Sequence, residues 1–474
     1  MPQHHFHAQS STDNRIFVGF LILIVWLPLP DASNQVWAWA IMEIAIFTLM
    51  LLWLWKYLFY HVQLTPVFYQ ATPVLIIWCL WLIYITWQWL PIPYSWLKIF
   101  SPQAANWHTL SLPENSLPST ASLSVDPHAT LVAWLQSVSY FVLFILTLLL
   151  IHRRTRLRQL AYTLVFSGLF QAIYGSLMTL SKLEWGFFQS KVFGIGVATG
   201  TFVNRNHLAG YLEMCLAIGI GLLIAQLGQT TESTWRQRLR SLLSWLLSGK
   251  MRLRLALVIM VIALVLTRSR MGNVAFFSSL LIAGTIGLLL SRHATRSTVI
   301  LLTSLIVIDL VIVGTWFGID EVAYRLQQTT LITEVRDEVD INLLPYWRDY
   351  IWTGSGLGTF FAVFPNYQEH NVEGYFDHAH NDYLEFGAET GIIGLLLVGS
   401  IVILSLSVAL LAQYRRHDPL CRGIAFSTTM AIIALLVHSS VDFNLQIPAN
   451  AATFVIILAL AWISSYLSRK MSSM

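Results

Sequence analysis

Repeated apolar runs, several of them about twenty residues long, constrain this chain more than any other feature. An α-helix of ~20 apolar residues crosses the ~30 Å hydrocarbon layer of a lipid bilayer. The sequence is 56% apolar and only 11% charged, which is typical of a membrane protein. We therefore predict an all-α polytopic membrane protein with about 12 transmembrane helices.

The predicted spans leave basic residues in one of the two sets of loops. Loops 153–158, 235–254, 291–296 and 414–422 follow even-numbered spans and are rich in arginine. Because cytoplasmic loops carry the excess of Lys and Arg, both termini are predicted to be cytoplasmic. The first apolar run lacks a basic leader and a small-residue cleavage site, so we expect it to stay as a membrane helix. The spans cover roughly residues 16–31, 36–56, 73–91, 130–151, 159–181, 206–227, 254–268, 271–290, 298–317, 386–412, 423–443 and 449–468.

The other set of loops contains the long segments 92–129, 182–205 and 318–385. A connection of about 70 residues is far longer than usual, and the aromatic content of 318–385 argues against disorder. We predict that this acidic loop is folded and functional. Segment 92–129 is rich in Pro and Ser, and its sequence indicates no role.

The stretch FDHAHNDYLEFG, residues 376–387, places a polar cluster where an apolar helix begins. Polar groups beside hydrocarbon are costly, so such a cluster indicates function. Asn381 or Asp382 is predicted to cap the helix, and Glu385 suits its positive end. Capping alone would explain these three residues.

Two histidines of the same stretch, His378 and His380, are candidates for chemistry. A neutral imidazole beside the positive end of a helix resists protonation and can accept a proton. His380, which directly precedes the cap, is the stronger candidate. An interfacial histidine without a task is one alternative, and a metal site formed by Asp377, His378 and His380 is another.

Three further groups of polar residues are predicted on the same face. Arg268 and Arg270 break the charge trend, which indicates either diphosphate binding or snorkelling of both side chains to the interface. Arg205 lies between Asn204 and Asn206, of which Asn206 is predicted to cap the sixth span. Glu213 lies about two turns into the same span and should need a partner such as Arg205 or Arg270. His438 and Asp442 form the third group, although they could also belong to a plain helix-ending turn.

Together these segments resemble the O-antigen ligase and polymerase superfamily of membrane glycosyltransferases. The family pattern is His, then Asn, Ser or Gln, nine residues, and Gly-x-x-Gly. Here it reads His380, Asn381, Gly391 and Gly394. The family's Arg-x-x-x-Leu is matched by Arg270 with Val274 in the last place, and the resemblance covers roughly residues 195–450.

The resemblance implies a GT-C-like helical bundle in the bacterial inner membrane, with a long periplasmic loop, 318–385, over a periplasmic active site. It divides the chain into N-terminal membrane helices 1–194, a catalytic region 195–450, and a last helix with a cytoplasmic tail, 451–474. The donor would be a glycan on undecaprenyl diphosphate, and the acceptor lipid A–core or another glycan. We expect no metal, no cofactor and no nucleic-acid partner. Membrane lipids are expected to surround and contact the protein.

The predicted mechanism combines both lines of argument. His380 would accept the proton of the acceptor hydroxyl, and Arg270 would stabilise the charge that grows on the leaving diphosphate. The predicted substrate-binding residues are Arg205, Arg268, Asn204, Asn206, Arg348 and Asn381. A polymerase that joins lipid-linked repeats, a transporter of lipid-linked glycans and a non-catalytic assembly protein remain alternatives.

Overall fold

The structure is a computed structural model. It describes the backbone in eight segments, and the side chains there except at residues 250 and 330–338. The segments are 13–60, 62–113, 117–186, 190–227, 249–290, 303–304, 330–369 and 374–467.

Helices dominate the described residues, and the single sheet pairs two strands of two residues, β1 (Ile92–Pro93) and β2 (Thr120–Ala121). Short 3₁₀ turns lie at Asp31–Ser33, Phe364–Asn366 and Asn444–Gln446. The helices are α1 (Asn14–Trp26), α2 (Val36–Tyr60), α3 (Pro66–Gln70), α4 (Thr72–Trp89), α5 (Tyr94–Phe100), α6 (Pro102–Leu110), α7 (Pro127–Leu150), α8 (Arg154–Leu180), α9 (Arg205–Leu227), α10 (Gly249–Leu266), α11 (Arg270–Leu290), α12 (Thr330–Asp349), α13 (Phe360–Val363), α14 (Asp382–Arg415), α15 (Pro419–His438) and α16 (Pro448–Tyr466).

Nine of the described helices are long and apolar enough to cross a membrane, which confirms the predicted all-α polytopic fold. The first predicted span corresponds to α1, an apolar helix of only 13 residues. The seventh corresponds to α10, whose first turns carry basic residues. The ninth, 298–317, lies outside the described residues apart from 303–304, so the count of twelve stays a prediction.

Three helices form the centre of the bundle. Of the most apolar 18 residues of each, 94% are buried in α9, 78% in α15 and 89% in α16, against 28–39% in the other six spans. Glycines let α9 and α15 touch along their backbones, because a Cβ at Gly221 would lie 2.2 Å from the Gly423 carbonyl oxygen. Helices that are apolar on all sides belong in such a core.

The contacts at the helix ends agree with the predicted grouping of loops. At one end of the bundle the Arg156 guanidinium donates two hydrogen bonds of 2.7 Å to the Asp13 carboxylate, and Arg154 pairs with Asp418. At the opposite end Ala198 N donates to Leu266 O. The ends that the sequence assigns to one side therefore lie together, while the side that faces the cytoplasm stays a prediction.

An outer layer covers this second end, built from α5, α6, α12, α13 and the connection from 117 to 126. It has a hydrophobic core of its own, separate from the core of the bundle. Segment 92–129, for which the sequence indicated no role, thus packs against the described part of loop 318–385. The buried residues of this core are Ile92, Leu97, Ala104, Ala105, Leu123, Val339, Leu343, Tyr346, Tyr350, Phe360, Val363, Phe364, Ala379 and Ala388.

Helix α14 is broken at Gly391, where φ is +62° and ψ is −174°. Segment 351–356 of the outer layer fills the break. Ser355 N donates to Ala388 O, Gly356 N to Glu389 O, and Ile392 N to Ile351 O, at 2.8–3.1 Å. An unpaired buried backbone group costs about 1–3 kcal/mol, so this pairing outweighs the ~1 kcal/mol penalty of a helix glycine.

Helix α4 reinforces the same junction from the membrane side. Tyr84 Oη donates a hydrogen bond of 2.8 Å to Thr390 O or Thr353 O, each of which lies at that distance. Gln88 Nε2 donates to Thr353 O at 2.7 Å and to Glu389 O at 3.0 Å. These contacts fix the direction of the short helical segment 382–390, which begins two residues after His380.

Gly391→Ala should destabilise the protein by about 1–3 kcal/mol or more. The position needs a left-handed φ, and a Cβ there would lie 2.3 Å from the Trp352 carbonyl oxygen. Gly399→Ala is the matched control, because a Cβ at Gly399 in the same helix meets nothing within 4 Å. Thermal unfolding in detergent should show a lower midpoint for the first variant only; equal midpoints would contradict this role of the break.

Candidate functional site

The polar residues singled out in the sequence meet where α9, α11 and α14 begin and α10 and α15 end. Asn381 caps α14, as one of the two predicted candidates, because its Oδ1 accepts from the N–H groups of Tyr383 (3.1 Å) and Leu384 (3.2 Å). His380, directly before the cap, has a φ of +54°, which is uncommon for a residue other than glycine. The packing around His380 therefore holds its backbone in this left-handed conformation.

Asp382 connects α14 to the turn 439–447, which joins α15 to α16. Its Oδ2 accepts from Ser439 Oγ at 2.7 Å and from Leu445 N at 3.2 Å, and the side chain is buried. The predicted alternative to Asn381 as the cap thus has a different task, which is to dock the turn against the start of α14.

The turn 439–447 supplies an aromatic centre for three imidazole rings. Phe443 contacts His207, His378 and His380 with ring-centroid distances of 4.6, 4.6 and 4.7 Å. The His378 ring stacks at 24°, while the other two stand nearly perpendicular. Sequence reasoning missed Phe443, since an aromatic residue in an apolar turn gives no local sign of such a role.

Asp442 lies among three imidazoles. Its Oδ1 is 3.6 Å from His207 Nε2 and 3.7 Å from His380 Nδ1, and its Oδ2 is 3.9 Å from His438 Nε2. These distances exceed an ordinary hydrogen bond, so the interactions are chiefly electrostatic. Burial would raise the pKa of Asp442, but the imidazoles of His207 and His380 outweigh it and hold that pKa well below its usual range. Asp442 is therefore a carboxylate.

His378 has a separate partner, which the sequence did not reveal. Its Nδ1 is 2.7 Å from Glu385 Oε1, and Glu385 Oε2 accepts from Ala379 N at 2.7 Å. Burial lowers the pKa of His378, but the carboxylates of Glu385, Asp377 and Glu389 outweigh it and raise that pKa to about 9. His378 is therefore a cation at neutral pH and has no lone pair with which to accept a proton.

Glu213 pairs with a histidine rather than with an arginine. His438 Nδ1 lies 2.9 Å from Glu213 Oε1, and both side chains are fully buried. The expectation that Arg205 or Arg270 would pair with Glu213 is therefore wrong. The reason is tertiary, because α15 packs against α9 and places His438 beside the carboxylate.

Arg268 and Arg270 flank the turn between α10 and α11, and both are exposed. The turn is held by side chains: Ser269 N donates to Thr267 Oγ1 (3.1 Å), and Gly272 N donates to Ser269 Oγ (3.2 Å). The turn thus has a defined shape with both arginines on its surface.

Gly272 brings the start of α11 against the buried cluster. A Cβ at Gly272 would lie 2.5 Å from Ala209 Cβ and 3.2 Å from Glu213 Oε1. Arg270 lies two residues before Gly272, within one helical turn of this close approach to Glu213. The approach connects the turn that carries the arginines to the buried Glu213 and His438.

The remaining predicted binding residues lie around this centre. Asn204 Oδ1 accepts from Asn206 N at 2.9 Å, so Asn204 and not Asn206 caps α9. Arg205 is exposed at the start of α9, two residues before His207. Asn381 Nδ2 is 3.5 Å from Asp340 Oδ2 on α12, whose last turn carries the exposed Arg348.

An apolar cavity of about 430 Å³ extends from His378 into the bundle, between α2, α4, α7, α14 and α16. Its lining includes Trp78, Trp81, Tyr140, Phe386 and Phe454. Within the described residues, no group of three or more His, Cys, Asp and Glu side chains has a geometry that could hold a metal ion.

Residues 255–399 match the family model described as O-antigen ligase. This segment is similar to O-antigen ligase domains. The finding confirms the resemblance drawn from the sequence and supports a ligase-like role in surface polysaccharide assembly. The match covers a little under a third of the chain, and no curated protein matched it. It includes Arg268, Arg270, Arg348, His378, His380 and Asn381, whereas Arg205, His207, Glu213, His438 and Asp442 lie outside it.

The charge of His378 predicts a pH effect on stability. A pKa raised to about 9 means that protonation stabilises the fold fully below about pH 6.5, and that this contribution disappears as pH rises through 9. The unfolding midpoint should therefore decline between pH 7 and 9.5, and His378→Gln should decline less.

His152→Gln is the control for this measurement. Burial, together with Arg156, lowers the pKa of His152 to about 4, so it does not titrate in that range. Thermal scans in detergent at several pH values give the slopes. Parallel slopes for the wild-type protein and His378→Gln would show that His378 is not held as a cation.

Proposed function

We propose that this protein transfers a glycan from an undecaprenyl-diphosphate carrier to an acceptor hydroxyl at the periplasmic face of the bacterial inner membrane. The acceptor of an O-antigen ligase is lipid A–core. One observation carries the proposal. His380, within the matched segment, keeps 22% of its side chain exposed while its Nδ1 faces the Asp442 carboxylate. Nε2 is then free to face a substrate.

Among the four clustered histidines, His380 is the one suited to act as general base. His207 and His438 are buried, with 5% and 0% exposure. His378 is a cation held by Glu385. A base must reach the proton that it removes, within about 3 Å or through one water. His380 alone among the four combines access with a ring nitrogen able to accept a proton.

Asp442 completes the base. In the proposed step, Nε2 of His380 takes the hydroxyl proton as the oxygen attacks the anomeric carbon, and the bond from that carbon to the diphosphate breaks. The ring then carries a positive charge 3.7 Å from Asp442. A buried carboxylate stabilises an imidazolium in this arrangement, as it does in hydrolase triads.

Arginines are proposed to receive the leaving diphosphate. Arg270 lies two residues before Gly272, where an added Cβ would be 3.2 Å from Glu213 Oε1, and Arg268 and Arg205 are exposed on the same end of the bundle. Guanidinium groups match phosphate oxygens with two hydrogen bonds and supply positive charge without a metal ion. The roles proposed for Asn204, Asn206, Arg348 and Asn381 are contacts to the diphosphate or sugars.

The apolar cavity beside His378 suits this class of substrate. A lipid-linked glycan is an amphiphile, and hydrocarbon lies next to polar chemistry when it is bound. The lining of Trp, Tyr and Phe side chains provides the apolar part. A site with charged groups at one end of such a cavity fits a lipid diphosphate better than a free nucleotide sugar.

A transporter is the main candidate of another class, and the broken helix α14 is a feature that transporters share. In transporters, however, the freed backbone groups of a broken helix bind substrate or ions near the middle of the membrane. Here they are paired with Ser355, Gly356, Tyr84 and Gln88. The break therefore supports the site without lining a transport path.

His380→Ala should lower glycan transfer by about 10²–10⁴-fold, the range for loss of a general base, with normal amounts of protein in the membrane. His378→Ala should be milder, since this residue donates rather than accepts. Transfer by purified protein, normalised to folded protein, is the measurement. A reversed order of the two variants would assign the base to His378.

Arg270→Lys should lose most of the activity although the charge is kept, because an ammonium group cannot form the paired hydrogen bonds of a guanidinium. Arg422→Lys, at the opposite end of the bundle, is the control. Full activity of Arg270→Lys would contradict the diphosphate contact.

Transfer by the purified protein should also survive a chelator, because arginine supplies the positive charge. A loss of transfer in EDTA that one divalent ion reverses would contradict metal independence.

Deletion of the gene tests ligase against polymerase. If the protein is a ligase, long glycans should accumulate on the lipid carrier and disappear from lipid A–core, as judged by gel analysis of surface and carrier-linked glycans. Accumulation of single repeats on the carrier would instead identify a polymerase. If the His380→Ala variant restores the wild-type glycans in the deletion strain, the protein would instead be a non-catalytic assembly protein.

A further inference from the structure

The proposed chemistry leaves Glu213 and His438 unused, although they form a fully buried pair beside the site. Glu213 Oε1 is 2.9 Å from His438 Nδ1, and neither side chain has any exposed surface. They cannot touch a substrate. Their place at the outer end of the most buried helices, α9 and α15, nevertheless puts them in line with His380.

Distances connect the pair to the base through one carboxylate. His438 Nε2 is 3.9 Å from Asp442 Oδ2, and Asp442 Oδ1 is 3.7 Å from His380 Nδ1. Carboxylate and imidazole thus alternate from Glu213 to His380. Each of these two imidazole nitrogens, and Asp442 Oδ2, is buried without a hydrogen-bond partner within 3.5 Å among the described residues. A shift of less than 1 Å at Asp442 would bring it within hydrogen-bond distance of either ring.

Stability alone is a poor reason for such a pair. Replacing a buried ion pair by apolar side chains of similar volume is often neutral or stabilising. Glu213 Oε2 is itself buried without a partner among the described residues, which adds a cost. A carboxyl group and an imidazole buried here, at a cost in folding free energy, indicate a functional role next to the site.

We infer that Glu213 and His438 are positioning residues that act on His380 through Asp442. Glu213 accepts from His438 Nδ1 and so holds that ring with Nε2 towards Asp442. His438 in turn sets the position and charge of the Asp442 carboxylate, which orients His380 with Nδ1 inward and Nε2 outward. The inference rests on the proposed role of His380 as the base.

The turn that carries Asp442 is suited to this role. His438 and Asp442 are four residues apart, and Val441 N donates to His438 O at 3.1 Å, which keeps the two side chains on one side of the turn. Phe443 N donates to Asp442 Oδ1 at 2.9 Å, so the carboxylate has one fixed bond from the backbone of the next residue. The remaining constraint on Asp442 comes from the imidazoles around it.

Glu213→Gln tests the inference, because the amide oxygen can still accept from His438 Nδ1 while the carboxyl group is removed. We expect kcat to fall about tenfold or more with KM unchanged for donor and acceptor, since the pair touches neither. His438→Gln, a second variant in case the first does not fold, should give the same pattern. Unchanged kcat per folded protein would overturn the inference.

Asp13→Asn is the matched control, since Asp13 is another buried carboxylate of the bundle, lies at the end opposite the site, and accepts two hydrogen bonds of 2.7 Å from Arg156. It should lower the unfolding midpoint and leave kcat per folded protein within about twofold. If the loss in Glu213→Gln merely follows its unfolding midpoint, as in this control, Glu213 is structural and the inference fails.

A double variant separates this inference from the proposed function. If Glu213 acts through His380, adding Glu213→Gln to His380→Ala should cause no further loss, whereas independent effects would multiply. If His380→Ala is below detection, the kcat and KM of the single Glu213→Gln variant decide. Wild-type kcat in His380→Ala would overturn the base itself, while a normal Glu213→Gln beside an inactive His380→Ala would overturn the positioning role alone.

Discussion

The pairing of backbone groups at the break in α14 is the constraint on which the rest of this structure depends. Next to a membrane, a carbonyl or N–H freed from a helix must find a partner within the protein. Here the carbonyls of residues 388–390 are met by segment 351–356 and by side chains of α4. One junction therefore joins the outer layer, the N-terminal helices and the start of α14.

The start of α14 is held as a consequence. With its direction set at Gly391, the helix can be capped by Asn381 and docked to turn 439–447 by Asp382. His380 is then confined to a left-handed backbone conformation between two fixed points. The spacing that joins His380 to Gly391 thus has a physical explanation, since the break at Gly391 sets the direction of the helix that His380 precedes.

Electrostatics distinguishes the histidines, which look alike in the sequence. Their surroundings differ in how close a carboxylate lies and in how much of the ring is exposed. Glu385 lies 2.7 Å from His378 and makes it a cation, while Asp442 faces His380 from 3.7 Å and leaves its outer nitrogen accessible. Two histidines separated by one residue thus have different partners, which suit the donor and acceptor roles proposed for them.

The sequence by itself determined the class of fold and most of the helical segments at the site, and it supplied the residues for which roles are proposed. Apolar run length, loop charge and the His-Asn…Gly-x-x-Gly spacing are local properties, and they sufficed for the all-α membrane fold and for naming Asn381 as one of two candidate caps. The sequence did not reveal which side chains become partners: it assigned an arginine to Glu213 and no role to segment 92–129 or to Phe443. Only the tertiary structure decided these matters, because each depends on groups far apart in the chain. Glu213 meets His438 across 225 residues, and Tyr84 reaches Thr390 across 306. Such contacts follow from how buried helices pack, and local patterns do not encode them.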